Sequence, residues 1–402
     1  MFSKRYCTWV VSGVAALLSA LSVGAWTGQS TQARQSDKQA ALSVSLRTEL
    51  NRYLTTRRAA EHISAVSLTV TFRHRRSINV AAGTTRYGDG QRISGDSLWQ
   101  IGSNTKAFTS VILLQLEAEH KLSIYDTVGK WLPRYSAWHQ ITIKRLLSMT
   151  SGIQDYAAQP ALLRDYAAAP NTVVSASRLV SYAVGLPLLK GYNYSSTNYI
   201  LAQMIIERAS RDTYADQLRR RIIIPLGLHH MFYSSTRYRP AVTARLPAGY
   251  FFDLSVPQLA PQLGKDQSRW SLSGEQGAGG IVSSLQDMTK WDRALYQGRM
   301  LPRKQQRELE SLVSMKTGRP IRATTPADPE GFGLGVAQAT SSIGKGWFFA
   351  GETLGYRVVH VYVPRSGVIV TVGVNSATAE TNDQSAALAL AVYQILHNAG
   401  AG

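Results

Sequence analysis

Strand patterns stand at both ends of this chain, with helical patterns between them. That order restricts the fold to a sheet drawn from both termini with an inserted, mostly helical region. Near the start, Val66, Leu68, Val70 and Phe72 alternate with Ser67, Thr69 and Thr71, the period of a strand. Arg73 to Arg76 reads as a hairpin tip, and Ile78 to Thr84 as the returning strand. Near the end, Tyr356 to Val363 is rich in β-branched and aromatic residues. Ser366-Gly367 marks a turn, after which Val368, Val370, Val372 and Val374 alternate. Helical spacing appears from Ala41 to Ala60 (Leu42, Leu46, Leu50, Leu54), Thr105 to His120, Tyr199 to Ala209 and Asp383 to His397. With 402 residues, 44% of them hydrophobic, the chain can bury one large core or one domain with an inserted subdomain.

The first residues have the order of an export signal. Lys4 and Arg5 precede an uncharged, largely apolar run from Cys7 to Trp26, and Val23-Gly24-Ala25 is an acceptable cleavage site. We expect a signal over residues 1–25, a linker and N-terminal helix over 26–59, and the main domain over 60–396. Polar residues near 27 to 40 form the linker. The alternative is an uncleaved membrane anchor, since the uncharged stretch is long enough to span a bilayer. Cys7 is the only cysteine, so a chain cut after Ala25 has no thiol, no disulfide and no thiolate metal site. The expected location is periplasmic or secreted. The net charge of +19 is spread in short clusters such as Arg219 to Arg221. It reads as a solvated basic surface able to adhere to an anionic envelope, not as a nucleic-acid groove.

Chemistry enters at Ser103-Asn104-Thr105-Lys106. A serine and a lysine three apart share a helix face. Serine needs a base to act as a nucleophile, and a buried lysine has a lowered pKa that suits it to that role. Ser103 would sit at a helix start, where backbone N–H groups favour developing negative charge. The pattern alone is weak. It also fits a helix cap beside a surface lysine, and the chain holds a second copy, Ser342-Ile343-Gly344-Lys345. That copy contains a glycine and leads into a strand.

Further segments narrow the reading. They are Leu122-Ser123-Ile124-Tyr125-Asp126, Leu146-Leu147-Ser148-Met149-Thr150-Ser151-Gly152-Ile153, Tyr194-Ser195-Ser196-Thr197-Asn198-Tyr199, Gly279-Gly280-Ile281-Val282-Ser283-Ser284 and Gly351-Glu352-Thr353-Leu354-Gly355-Tyr356. In order and spacing the chain resembles the penicillin-recognising serine hydrolases: class C β-lactamases, D-alanyl-D-alanine carboxypeptidases and related esterases. The resemblance implies an α+β, β-lactamase-like fold. It consists of an antiparallel sheet built from both chain ends, with flanking helices and an inserted, mostly helical region. It implies Ser103 as the acylated nucleophile, Lys106 as the residue that orients it and relays its proton, and Tyr194 as acid or base. The backbone N–H groups of Ser103 and Glu352 would form the oxyanion hole, and Ser196, Phe349 and Gly351 would line the substrate site.

Two positions depart from the family pattern. Ser196 stands where the second motif usually ends in asparagine. Phe349 stands two residues before Gly351, where a lysine or histidine usually helps bind the substrate carboxylate. The expected activity is therefore hydrolysis of an ester, peptide or β-lactam carbonyl, with neutral esters favoured and a cell-wall peptide or other small molecule as partner. The alternatives are a D-alanyl-D-alanine carboxypeptidase, a β-lactamase, or a non-catalytic envelope-binding protein on the same scaffold. No cofactor and no metal are implied: His229-His230 reads as a loop pair, and no His-Glu-x-x-His, Walker A or Gly-x-Gly-x-x-Gly pattern occurs.

Overall fold

The computed structural model describes residues 31–73 and 76–401. The expected signal over 1–25 and Cys7 lie outside the described residues. Fourteen strands are present among them: β1 (Ala65–Thr71), β2 (Ile78–Gly83), β3 (Leu98–Gln100), β4 (Met231–Tyr233), β5 (Tyr250–Phe252), β6 (Ile281–Ser284), β7 (Leu312–Ser314), β8 (Pro320–Ile321), β9 (Glu330–Phe332), β10 (Ala337–Ser341), β11 (Gly344–Glu352), β12 (Arg357–Val363), β13 (Val368–Val374) and β14 (Ser376–Thr378). Nine of them form the main sheet, in the order β2-β1-β13-β12-β11-β10-β9-β7-β8. Its pairs are antiparallel, and β1 lies directly on β13, with Val66 opposite Val374 and Val70 opposite Val370. The two ends of the domain thus pair side by side, one strand in from the β2 edge of the sheet. One small pair departs from the antiparallel expectation: β14 runs parallel to β5.

Five helices frame the site: α1 (Thr31–Glu61), α2 (Thr105–Ala118), α3 (Ser196–Ser210), α4 (Leu285–Tyr296) and α5 (Ser385–Asn398). In α1, Leu42, Leu46, Leu50 and Tyr53 are buried, one apolar stripe on an otherwise polar helix. The helix begins at Thr31, so most of the stretch expected as a polar linker is helical. Polar composition does not oppose helix where straight-chain residues such as Gln, Arg and Lys dominate.

Helices cover both faces of the central strands. Every residue of β1, β12 and β13 is buried, including Ser67 and Thr69, which alternate with the apolar residues. Alternate residues of β12 show what each face meets. Arg357 reaches Glu61 of α1 at 2.9 Å and Asp383, just before α5, at 2.5 Å. His360 meets Tyr296 of α4 at 2.7 Å. The second Ser-x-x-Lys lies in the β10–β11 hairpin, where Thr340 opposes Lys345 and Gly344 has φ +90. It therefore lacks the helical spacing that would bring serine and lysine together.

Candidate active site

Ser103 lies in a single 3-10 turn, Gly102–Asn104, that runs directly into α2. Gly102 has φ +50, a conformation that side-chain-bearing residues rarely adopt. A Cβ there would lie 2.5 Å from both N and O of Glu352. Opposite it, a Cβ on Gly351 would run into Ile101 O and lie 2.8 Å from Ser103 N. The two glycines therefore let the nucleophile turn and β11 touch backbone to backbone, with the N–H groups of Ser103 and Glu352 on either side of the contact. Beyond Phe348, which opposes Ala337, the β10 pairing of β11 ends. Residues Phe349 to Glu352 are paired only with β12.

Asn104 anchors this turn from below. Its Nδ2 donates to Ile101 O at 2.8 Å and to Val358 O at 2.9 Å, and its Oδ1 lies 2.9 Å from His360 Nδ1. Burial lowers the His360 pKa to about 3, so this ring is neutral and acts as scaffold.

Lys106 follows one turn into α2 and is 1% exposed. Its Nζ donates to Ser103 Oγ at 2.9 Å, to Ala278 O at 2.8 Å and to Ser196 Oγ at 3.4 Å. Burial lowers its pKa to about 8, against the opposing pull of Asp155 and Glu275. Tyr194 donates its hydroxyl to Ser103 Oγ at 2.7 Å, and Lys106 Nζ lies 4.9 Å from the centre of the tyrosine ring. Four residues singled out in the sequence, Ser103, Lys106, Tyr194 and Ser196, thus form one hydrogen-bonded cluster.

The Tyr194-Ser195-Ser196 corner is fixed by the segment around Ser151. Ser151 Oγ donates to Asn198 Oδ1 at 2.7 Å, and Asp155 Oδ1 accepts from Ser196 N at 3.1 Å. Asn193 N donates to Met149 O at 2.9 Å. The Leu146 to Ile153 motif is therefore a clamp that aims Tyr194, a role its sequence alone did not reveal.

The cavity at Ser103 is lined by Tyr194, Ser196, Glu275, Gly351, Glu352 and Arg357, among others. Phe349, expected in the substrate site, is not among them. It is 2% exposed, shares a sheet face with His360, and packs on Phe332 with ring centres 5.9 Å apart. Two acidic groups went unremarked in the sequence. Burial raises the pKa of Asp155 and lifts that of Glu275 to about 7, with Lys106 opposing both shifts. Their signal was faint: a lone aspartate three residues after Ser151-Gly152, and a lone glutamate inside a glycine-rich run.

The beta-lactamase family model matches residues 50–394. The chain belongs to the beta-lactamase family. Penicillin-binding protein 4* of Bacillus subtilis is 29% identical over 230 residues, 56% of this chain and 51% of that protein. Teichoic acid D-alanine hydrolase of Staphylococcus aureus is 27% identical over 210 residues, 52% of this chain and 48% of that protein. The chain thus aligns with about half the length of these curated relatives. The solved D-stereospecific amidohydrolase from Streptomyces sp. superposes with a TM-score of 0.70 at 26% identity, covering 82% of this chain and 94% of that one. D-amino acid amidase from Ochrobactrum anthropi SV3 superposes at 0.76 with 22% identity, over 89% of this chain and 99% of that one, a likeness of fold.

Proposed function

We propose that this beta-lactamase family member is an exported serine hydrolase that works through an acyl-enzyme on Ser103. One observation carries the reading: Lys106 Nζ and Tyr194 Oη both reach Ser103 Oγ, at 2.9 and 2.7 Å. Neutral Lys106, directly or through Tyr194, takes the serine proton as Oγ bonds to the substrate carbonyl carbon. The carbonyl oxygen becomes an oxyanion facing the Ser103 and Glu352 N–H groups, donors typically worth about 2.7–4 kcal/mol each. Tyr194 then returns the proton to the leaving alcohol or amine, and water releases the acid by the same steps. Export rests on the charged, apolar and small-residue order of residues 1–25.

The favoured substrate is an ester without a free carboxylate. Among the described residues, no lysine or histidine lines the cavity at Ser103, and Phe349, aligned with the family's cation, is buried against Phe332. The guanidinium in the cavity wall, Arg357, is already held by Glu61 and Asp383. The names of the relatives, a D-alanine hydrolase and a D-stereospecific amidohydrolase, fit acyl transfer from a small D-aminoacyl group. The test is turnover of short-chain p-nitrophenyl esters beside a penicillin and a D-alanyl-D-alanine peptide. We expect a higher kcat/KM for the ester, abolished in Ser103→Ala. Turnover that persists in Ser103→Ala contradicts the assignment.

A further inference from the structure

The Asn104 amide sets the tautomer of a buried histidine. Its Nδ2 donates to two carbonyls, Ile101 O at 2.8 Å and Val358 O at 2.9 Å. With both N–H bonds so directed, the amide turns only its oxygen, an acceptor, to its remaining neighbour. That neighbour is His360, whose Nδ1 lies 2.9 Å from Asn104 Oδ1. A hydrogen bond to that oxygen needs a proton on Nδ1. The Nε2 lone pair then accepts from the Tyr296 hydroxyl at 2.7 Å. The second polar group near Nδ1 is Asp292, one turn before Tyr296 on α4, with Oδ1 3.7 Å away. That is beyond hydrogen-bond length. Neither Asp292 oxygen has a hydrogen-bond partner among the described residues, and burial favours its protonated form. The Nδ1 proton is therefore left to Asn104.

The backbone that Asn104 holds is the backbone of the oxyanion hole. Asn104 directly follows Ser103. Ile101 O and Ser103 N are the two atoms that a Cβ on Gly351 would crowd. Val358, the second carbonyl, is the β12 partner of Gly351. One side-chain amide thus ties the nucleophile turn to the strand behind β11. Rotated by half a turn, it would set its oxygen against two carbonyl oxygens and leave two buried acceptors without donors. The Nδ1 proton of His360 stabilises the correct orientation.

We propose that His360 is a positioning residue for the oxyanion hole: in its Nδ1–H tautomer it locks the Asn104 amide, and through that amide it holds the Ser103 N–H where negative charge develops. His360 touches neither Ser103 nor the cavity. This rests on the acyl-enzyme reading above, since that reading gives the Ser103 N–H its task.

Two measurements on the full chain test the proposal. The first needs no variant of the parent protein: long-range 1H–15N correlation with 15N-labelled histidine reads the tautomer, and the His360 signals are those missing from His360→Asn. We expect the Nδ1–H form at neutral pH, and the Nε2–H form overturns the proposal. The second separates the two ring nitrogens. Asparagine carries its NH2 near the place of Nδ1, whereas glutamine reaches toward that of Nε2. Packing alone favours glutamine, which is closer to histidine in volume. We expect His360→Asn to keep kcat for a p-nitrophenyl ester within about threefold and His360→Gln to lose about tenfold or more, with KM little changed in both. The glutamine effect should vanish in an Asn104→Ala background, because it acts through Asn104. Equal losses in the two variants, a smaller loss in glutamine than in asparagine, or a loss carried by KM overturns the proposal. A fluorophosphonate adduct on Ser103 in the parent, with no kcat difference between the variants, removes the positioning role and leaves the acyl-enzyme standing. The Nδ1–H tautomer in a folded parent that takes up no label removes the acyl-enzyme, and the positioning role falls with it.

Discussion

Lys106 and Ala278 lie 172 residues apart in sequence, yet the lysine Nζ donates to the alanine carbonyl at 2.8 Å. That bond draws the amine into the domain interior and holds it beside Ser103. Solvent is excluded there, and the pKa falls to about 8 from an ordinary 10.5. Position and proton affinity thus come from the same packing.

The first prediction follows from that pKa. Neutral lysine is the active form, and it is gained as pH rises through the lysine pKa. The kcat/KM for an ester should therefore climb with pH and level off above about 8. Asp155 and Glu275 both raise the Lys106 pKa, so Glu275→Gln should move the limb to lower pH. A pH–rate profile of both proteins checks this, and a limb that stays in place or moves up contradicts it.

Lys106 and Tyr194 share Ser103 as their target, so they should behave as one unit. Lys106→Ala and Tyr194→Phe should each lower kcat/KM by about 100-fold or more. The double variant should lose little beyond the worse single variant. Losses that multiply would show that the two groups act independently.

Gly351 offers a purely steric test. Its missing Cβ leaves room for Ile101 O and for Ser103 N. Gly351→Ala should push β11 away from the nucleophile turn and cut activity by about 100-fold, the scale of a lost oxyanion donor. Far-UV circular dichroism should remain that of the parent. Full activity in the variant would mean that this contact does not position the Ser103 N–H.

The Glu61–Arg357–Asp383 cluster ties α1 to β12 and to the start of α5. Glu61 and Arg357 are 0% and 2% exposed, and Tyr53 also donates to Glu61, at 2.7 Å to Oε2. Removing one partner strands the others as buried charges. Arg357→Met should thus cost about 3–5 kcal/mol, read as a lower denaturant midpoint. A midpoint equal to the parent's would show that the cluster adds no net stability.

Much of this architecture was legible in the residue order. Alternation at Val66 to Phe72 and Val368 to Val374 marks strands by a purely local period, and the joint sheet of both ends followed from it. The nucleophile cluster was legible because Ser103 and Lys106 are near neighbours, and Tyr194 because its flanking residues form a motif. What escaped depends on three-dimensional enclosure. Glu275 and Asp155 gain their properties from burial beside Lys106, which no local pattern records. Phe349 could be aligned in sequence with a substrate-binding position and shares the sheet face of Gly351, but its ring packs on Phe332 instead of lining the cavity. The helical start at Thr31 was hidden because a polar helix and a polar linker share a composition.

The central claim is that Ser103 is the acylated residue. Treatment of the full chain with a fluorophosphonate, followed by intact mass and peptide mapping, tests it most directly. We expect a single adduct on Ser103, absent in Ser103→Ala and slowed in Lys106→Ala and Tyr194→Phe. An adduct on Ser342 in place of Ser103, or a folded protein that takes up no label, would contradict it.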